Sequence, residues 1–493
     1  MIKFGTFCAI VILVLVVGFL RIENRSVGAA EAGALLVSSG HHPIKWSQLP
    51  TSSLEYQSYF SGEMSLAKSI DYSLRHDIHG PTYFVFFYVW QKAFGGSLES
   101  TRSWSLFLLI LLTALLVYGP FDKKLSSEIW LAGLLLALSA SFTYHATNAR
   151  PYMLANFFLI LGAVLIFYAQ QASSSQKMTS VKLSLAGIFL GIAFLTHYFT
   201  AFSIAALCFY HWKLQWNKAK WQSLAPALWA FLVSLPAFYW MSLQLPQYRP
   251  PPNSEGYPGH WALLQMTLGE IPTLIFRIDS QTQLGVAWLL ILTVLAGLFF
   301  YKKKTSIWFA SILFFSPLVL LLILSYVEGK HFTEYRYLSF STFGLCLFIV
   351  LGLQGWFAFK KAAALLISGL VVAGISFSLY YNALPPSPEH PHGNRHWKEK
   401  ICQSPTAKKL LLIDETGGRG WIAHWIFEIP CDIQIAVTSP TKLFSLEPYD
   451  EIWFIHSDEY IENNPEKSFE NKLKLFSFQA QPIHKGRITK WQR

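Results

Sequence analysis

Charge is what this sequence has least of. Asp, Glu, Lys and Arg make up 14% of its 493 residues, against roughly 25% in a soluble globular chain. That deficit excludes an ordinary soluble domain. Cysteine is almost as sparse, at five residues. Cys8, Cys208 and Cys346 fall in apolar runs, where they read as packing residues. No CxxC or His/Cys grouping has the spacing of a zinc site. There is no repeat of fixed period, and no low-complexity tract beyond Ser173–Ser175, which excludes a solenoid. Nor is any basic run interleaved with aromatics, so the net charge of +11 does not point to nucleic acid.

What is present is apolar. Hydrophobic residues reach 53%, gathered into long blocks, and about 18 apolar residues cross ~30 Å of hydrocarbon. The chain reads as a multi-pass membrane protein, mainly α, with about eleven spans. They fall near 4–20, 103–121, 126–144, 151–169, 181–196, 198–214, 222–243, 285–301, 305–327, 337–358 and 362–382. Ala30-Glu31-Ala32 has a small-x-small form, but Arg21, Glu23 and Arg25 separate it from the first apolar run. That run is therefore read as an uncleaved span rather than a signal peptide. The clusters at Lys3, Lys123-Lys124, Lys177 with Lys182, Lys213–Lys220, Lys302–Lys304 and Lys360-Lys361 then share one side. By the positive-inside rule that side is the cytoplasm, so the N-terminus lies inside and the C-terminal region outside the plasma (inner) membrane.

Two segments break the pattern. Pro81–Phe94 is apolar and aromatic but short of a span, so it is expected to lie along the outer interface. Beyond Leu384-Pro-Pro-Ser-Pro388 the composition changes to short strand-like and helix-like pieces at 409–413, 421–428, 433–437, 451–456 and 472–478. The expected organisation is a transmembrane domain, 1–383, whose first outer loop is 21–102, followed by a small extracytoplasmic α/β domain, 384–493. Cys402 and Cys431 lie in that tail and are a candidate disulfide outside the cytoplasm.

The residues able to carry chemistry gather on the outer side. Glu31 follows a small-residue stretch in the first loop; a solvated carboxylate is its alternative reading. Asp77 and His79, in His76-Asp-Ile-His-Gly-Pro81, can act as base, bind a cation, or form the turn before a helix. Arg150, in Asn148-Ala-Arg-Pro-Tyr152, and Arg336, in His331-Phe-Thr-Glu-Tyr-Arg336-Tyr337, stand where an anionic head group would lie, or can snorkel from a helix end. His197 ends another span and can equally be core. Carboxylates and arginines on one face suit an enzyme acting on a lipid-linked anion. A transporter or flippase of lipid-linked saccharides is the other class, but it predicts acidic residues within spans, and these spans are almost free of them.

The motifs, taken in order, resemble the GT-C integral-membrane glycosyltransferases. More specifically, they resemble the branch of the protein O-mannosyltransferases and the lipid A aminoarabinose transferase. Glu31 is similar to the Glu of that branch's Asp-Glu motif, whose Asp is Ala30 here. Asp77-Ile-His79-Gly-Pro81-Thr-Tyr83 resembles its acidic-x-His-Pro-Pro-Leu-Tyr, and Phe94-Gly95 and Arg102 its Phe-Gly and Arg positions. Asn148-Ala-Arg150-Pro-Tyr152 resembles Ala-Arg-x-Tyr, and Arg336-Tyr337-Leu338 its late Arg-Tyr-Leu. The resemblance implies a GT-C fold and transfer, with inversion, of a sugar from a polyprenyl-phosphate donor to an acceptor glycan, lipid or protein outside the cytoplasm. Glu31 or Asp77 would supply the base, since the motif Asp is missing. His79, Arg102, Arg150, Tyr152, His197, Arg336 and Tyr337 would bind substrate. No cofactor is required by the residues; a divalent cation is the one left open, and no compact Asp-x-Asp provides for it. The absent Asp also leaves room for a non-catalytic relative.

Overall fold

A computed structural model describes residues 2–25, 27, 29–39, 47–61, 65–77, 79–119, 126–171, 176–217, 220–244, 259–278, 280–328, 335–384, 394–403, 408–414, 422, 425–426, 429–438, 448–455, 479–484 and 488–492. Within them the helices are α1 (Ile2–Asn24), α2 (Ala29–Ser39), α3 (Ser53–Ser61), α4 (Leu66–His76), α5 (Pro81–Phe94), α6 (Leu98–Tyr118), α7 (Ser126–Leu138), α8 (Ala140–His145), α9 (Tyr152–Gln171) and α10 (Gln176–Thr196). They continue with α11 (Ala201–Gln215), α12 (Lys220–Gln244), α13 (Gly259–Thr273), α14 (Gln281–Ala296), α15 (Lys304–Glu328), α16 (Tyr335–Leu338), α17 (Thr342–Phe359), α18 (Lys361–Ala383) and α19 (Asn394–Cys402). The strands are β1 (Thr51–Ser52), β2 (Lys409–Asp414), β3 (Gln434–Thr438), β4 (Glu451–Ile455), β5 (Gln479–His484) and β6 (Ile488–Gln492). The chain divides into two compact units, one of 1–23, 73–90 and 98–384, the other of 24–72, 91–97 and 385–493.

The first unit is the membrane bundle. Among the described residues nine helices are long and apolar enough to cross a bilayer, making this a multi-pass membrane protein. The other two expected spans come out shorter. The run 126–144 is broken at Ser139, whose Oγ accepts the Phe142 N–H and caps α8. The backbone N–H groups of Ala140 and Ser141 donate instead to the carbonyls of Ile275 and Leu274, at 3.1 and 3.2 Å, so the break leaves no orphan donors there. The run 198–214 begins as a 3-10 turn at Tyr198–Thr200 before α11. The centre of the bundle is α9, apolar on every side, with 94% of its span buried in protein, whereas α1 and α12 bury 22%. Helices α10 and α12 approach closely because Gly187 and Gly191 face α12; a Cβ at either would meet Trp229 or Val233 at 2.6 Å.

The second unit is built on one mixed sheet of order β1-β3-β2-β4-β6-β5. Strands β3, β2 and β4 run parallel, and β1, β6 and β5 join antiparallel. The parallel strands carry continuous apolar runs, as strands covered on both faces do, and every residue of β4 is buried. Sequence expectations at 409–413, 433–437 and 451–456 became β2, β3 and β4; most of 421–428 and all of 472–478 lie outside the described residues. What periodicity did not anticipate is the partner strand. Thr51-Ser52 of the first loop pairs with β3, and Tyr56 of α3 enters the sheet's core beside Ile401, Ile435 and Trp453. The Ser53 N–H donates to the Ile433 carbonyl at 2.8 Å, and Gln57 Nε2 to that of Ile429 at 2.7 Å. Cys402 and Cys431 are disulfide-bonded and pack against this same core.

Candidate active site

In the membrane unit, four helix breaks converge on one set of side chains. The first is the turn Asp77–Gly80 between α4 and α5. Asp77 Oδ1 accepts the His79 backbone N–H at 2.8 Å, closing an Asx turn, and also the His79 Nδ1 at 2.5 Å. When the His79 Nδ1–H donates to the ionised carboxylate, the neutral ring has Nε2 as its acceptor. The turn is clamped from behind. Gln244 Nε2, at the end of α12, donates to the carbonyls of both Ser73 and His79 at 3.2 Å, and Tyr198 donates to Gln244 Oε1 at 2.9 Å. Gly80 packs directly on the end of α10, where a Cβ would stand 1.8 Å from the Leu195 carbonyl oxygen. The Gly in place of the motif's first Pro therefore has a steric cause.

The second break is the turn Ala146–Pro151 between α8 and α9. Ser105 of α6 donates to the Asn148 carbonyl at 2.6 Å, and the Arg150 N–H donates to the same carbonyl at 2.9 Å. The Arg150 guanidinium then lies 5.6 Å from the Tyr152 ring. The third is His197, in extended backbone between α10 and its 3-10 turn, with Nδ1 accepting the Phe199 N–H at 3.3 Å. The fourth is α16 with the 3-10 turn Ser339–Ser341, held to α9 by Asn156 Nδ2 donating to Ser339 Oγ at 3.2 Å. It carries Arg336, 4.8 Å from the Tyr337 ring.

The rings show that these turns meet. His197 lies 5.2 Å from His79, 5.1 Å from Tyr152, 5.2 Å from Phe340 and 6.2 Å from Tyr337, and Tyr152 lies 5.1 Å from His145. The electrostatics follow from the crowding. Burial would raise the Asp77 carboxyl, but His79 and then Arg150 outweigh it and hold it below the usual carboxylate value. For Arg150, burial works against the charge, yet Tyr152, Asp77 and Tyr337 together keep its pKa raised. His197 is pushed well below the ordinary imidazole value by burial, reinforced by His79, Arg150, Arg336 and His145. A neutral imidazole whose Nδ1 accepts must carry its proton on Nε2, and that buried nitrogen has no hydrogen-bond partner among the described residues.

The structure thus gathers Asp77, His79, Arg150, Tyr152, His197, Arg336 and Tyr337 into one cluster. Arg102 has a different neighbourhood. It is fully buried on α6 and donates from Nη1 to the Ile22 carbonyl at 3.0 Å, satisfying an acceptor in the last turn of α1. Glu31 belongs to the other unit, buried in the first turn of α2. His331–Glu334 lie outside the described residues. Among the described residues, no group of three or more His, Cys, Asp or Glu could hold a metal ion. Gln244 was missed, because one amide at the end of an apolar helix looks like any boundary residue. Phe340 likewise carried no signal apart from a span.

No family model matches the sequence, and no curated protein matches it. Solved structures do. ArnT from Cupriavidus metallidurans in the apo state aligns with a TM-score of 0.52 at 11% identity, covering 100% of this chain and 98% of that one. The same protein bound to undecaprenyl phosphate aligns with a TM-score of 0.53 at 12% identity, covering 99% and 98%. This chain has an ArnT-like GT-C fold. The architecture expected from the order of the motifs is therefore present from end to end, although barely one residue in nine is shared with ArnT.

Proposed function

We propose that this protein is a glycosyltransferase that moves a sugar from a polyprenyl-phosphate carrier to an acceptor on the outer face of the inner membrane. The observation that carries the reading is the convergence of Asp77, His79, Arg150, His197 and Arg336 from four separate helix breaks. Attack by a hydroxyl or amine acceptor requires a base within hydrogen-bond reach. Asp77, ionised and bonded to His79, supplies it: the pair takes the acceptor proton, with Asp77 accepting from Nδ1–H so that Nε2 is left to receive it. As the bond from the sugar carbon to the carrier phosphate breaks, negative charge develops on the phosphate oxygen. Arg150 and Arg336 stabilise it, and the Nε2–H of neutral His197 donates to it. Tyr152 and Tyr337 lie beside the two guanidinium groups and restrict where they point. The lysine distribution accords with an outer-face site and a cytoplasmic N-terminus.

Glu31 is the second carboxylate of the motif and is tested beside Asp77. With purified protein and a labelled polyprenyl-phosphate sugar, Asp77→Asn should abolish transfer while the donor still binds. Glu31→Gln should retain it. Transfer that survives Asp77→Asn and fails in Glu31→Gln would move the base to Glu31.

A further inference from the structure

A second feature of the membrane unit has no part in this chemistry. Between α14 and α18 runs a groove of about 420 Å³, within the roughly 300–1,000 Å³ of ligand pockets. Its lining is sorted by polarity apart from Thr293, whose Oγ1 is turned back to donate to the Leu289 carbonyl at 2.7 Å. Arg277, Thr282, Gln283 and Ser378 stand at one end, and Val286, Leu289, Leu290, Ile367 and Leu370 continue it along the spans. Arg150 and Arg336 do not line it.

The polar end lies at the level where α18 leaves the bundle. There Asn382 bonds Thr143 of α8 at 3.3 Å and accepts from Arg21 at 2.6 Å. Arg277 is held in place by its N–H donating to Ser378 Oγ at 2.9 Å and by Nη1 donating to the Tyr381 carbonyl at 2.6 Å. The start of α14 adds the positive end of its dipole. From Gln283 to Thr293 the helix rises by about 15 Å at 1.5 Å per residue, and half of a ~30 Å hydrocarbon core is the same depth. A cationic, donor-rich head end and an apolar tract one leaflet deep match a lipid with an anionic head.

We propose that this groove binds one hydrocarbon chain of an anionic membrane glycerophospholipid, with its phosphate at Arg277 and the first turn of α14. The site is independent of sugar transfer. Its apolar wall exposes Val286, Leu289 and Leu370 at 62%, 68% and 52%, so a bound chain covers side chains that otherwise meet bulk lipid.

The test is native mass spectrometry of the full-length protein released from nanodiscs holding equal amounts of phosphatidylglycerol and phosphatidylcholine. One retained phospholipid per chain is expected, with the anionic one favoured about fivefold, the worth of a single basic residue facing anionic lipid. Arg277→Gln should bring the two lipids to parity, and Arg277→Lys should keep the preference, which separates charge from folding. Leu290→Trp and Leu370→Trp, filling the apolar tract, should each remove the retained lipid. Equal retention in both Trp variants, an unchanged anionic preference in Arg277→Gln, or an isoprenoid lipid as the retained species would each overturn the proposal.

Discussion

Replacing Asp77 with Asn tests the acid–base pair at its smallest perturbation. The side chain keeps its shape and one carbonyl oxygen, so the bonds to the His79 N–H and Nδ1, at 2.8 and 2.5 Å, keep an acceptor but lose its charge. Hydrogen bonds to charged groups contribute about 1.5–3 kcal/mol, against about 0.5–1.5 for neutral ones. Two such bonds weakened together amount to about 2–3 kcal/mol of lost orientation, or roughly 30- to 150-fold in rate. Removing a general base costs about 10²–10⁴-fold. A transfer assay in proteoliposomes separates the cases: a fall beyond roughly a thousandfold is expected, with donor binding retained. His79→Gln should fall to a similar level, and the double variant should be no worse than the poorer single, because members of one catalytic unit are not additive. Loss of less than threefold in Asp77→Asn, or singles whose effects multiply, would refute the pair.

His197 should stay neutral through the range where an ordinary histidine titrates, because its pKa lies well below 6.5. NMR of labelled histidine should show no titration of this ring between pH 8 and 6, and Arg336→Gln should move its midpoint up. The folded-state pKa is depressed, so its contribution to stability is full above the unfolded value and is lost as pH falls through the folded one. Gly80→Ala forces a Cβ onto the Leu195 carbonyl and should destabilise by about 1–3 kcal/mol, lowering transfer through displacement of Asp77 and His79. Opening the disulfide with Cys402→Ser removes a crosslink of sequence separation 29. On the loop-entropy estimate that is worth about 3–4 kcal/mol; the C-terminal unit should become more protease-sensitive, while mass spectrometry of unreduced wild type shows the bridged peptide.

Much of the architecture was legible in the sequence because bilayer depth imposes a minimum run length on every span. Run length could not reveal that Ser139 caps a new helix and hands two backbone donors to Ile275 and Leu274. The small sheet was legible in β2, β3 and β4, whose continuous apolar runs stand out. Strand β1 is only two residues long and pairs with a strand far along the chain, with Ser52 opposite Gln434. No local pattern encodes such a partner. At the candidate site, Asp77 and His79 were visible as polar residues of the first outer loop, and Arg150 and Arg336 as polar residues at span ends. Their convergence was not, since it depends on how α5, α9, α10 and α17 begin or end. Gln244 was invisible because its role is to hold the backbone of a turn more than 160 residues away.

The central claim is bond cleavage rather than carriage. The measurement that reaches it most directly is the fate of the lipid phosphate when purified protein in sealed vesicles meets a labelled polyprenyl-phosphate sugar and acceptor. Free polyprenyl phosphate should appear in step with labelled acceptor, and Arg150→Gln and Arg336→Gln should suppress both together. Intact donor crossing the bilayer with no free polyprenyl phosphate formed would contradict the account and make the protein a translocator.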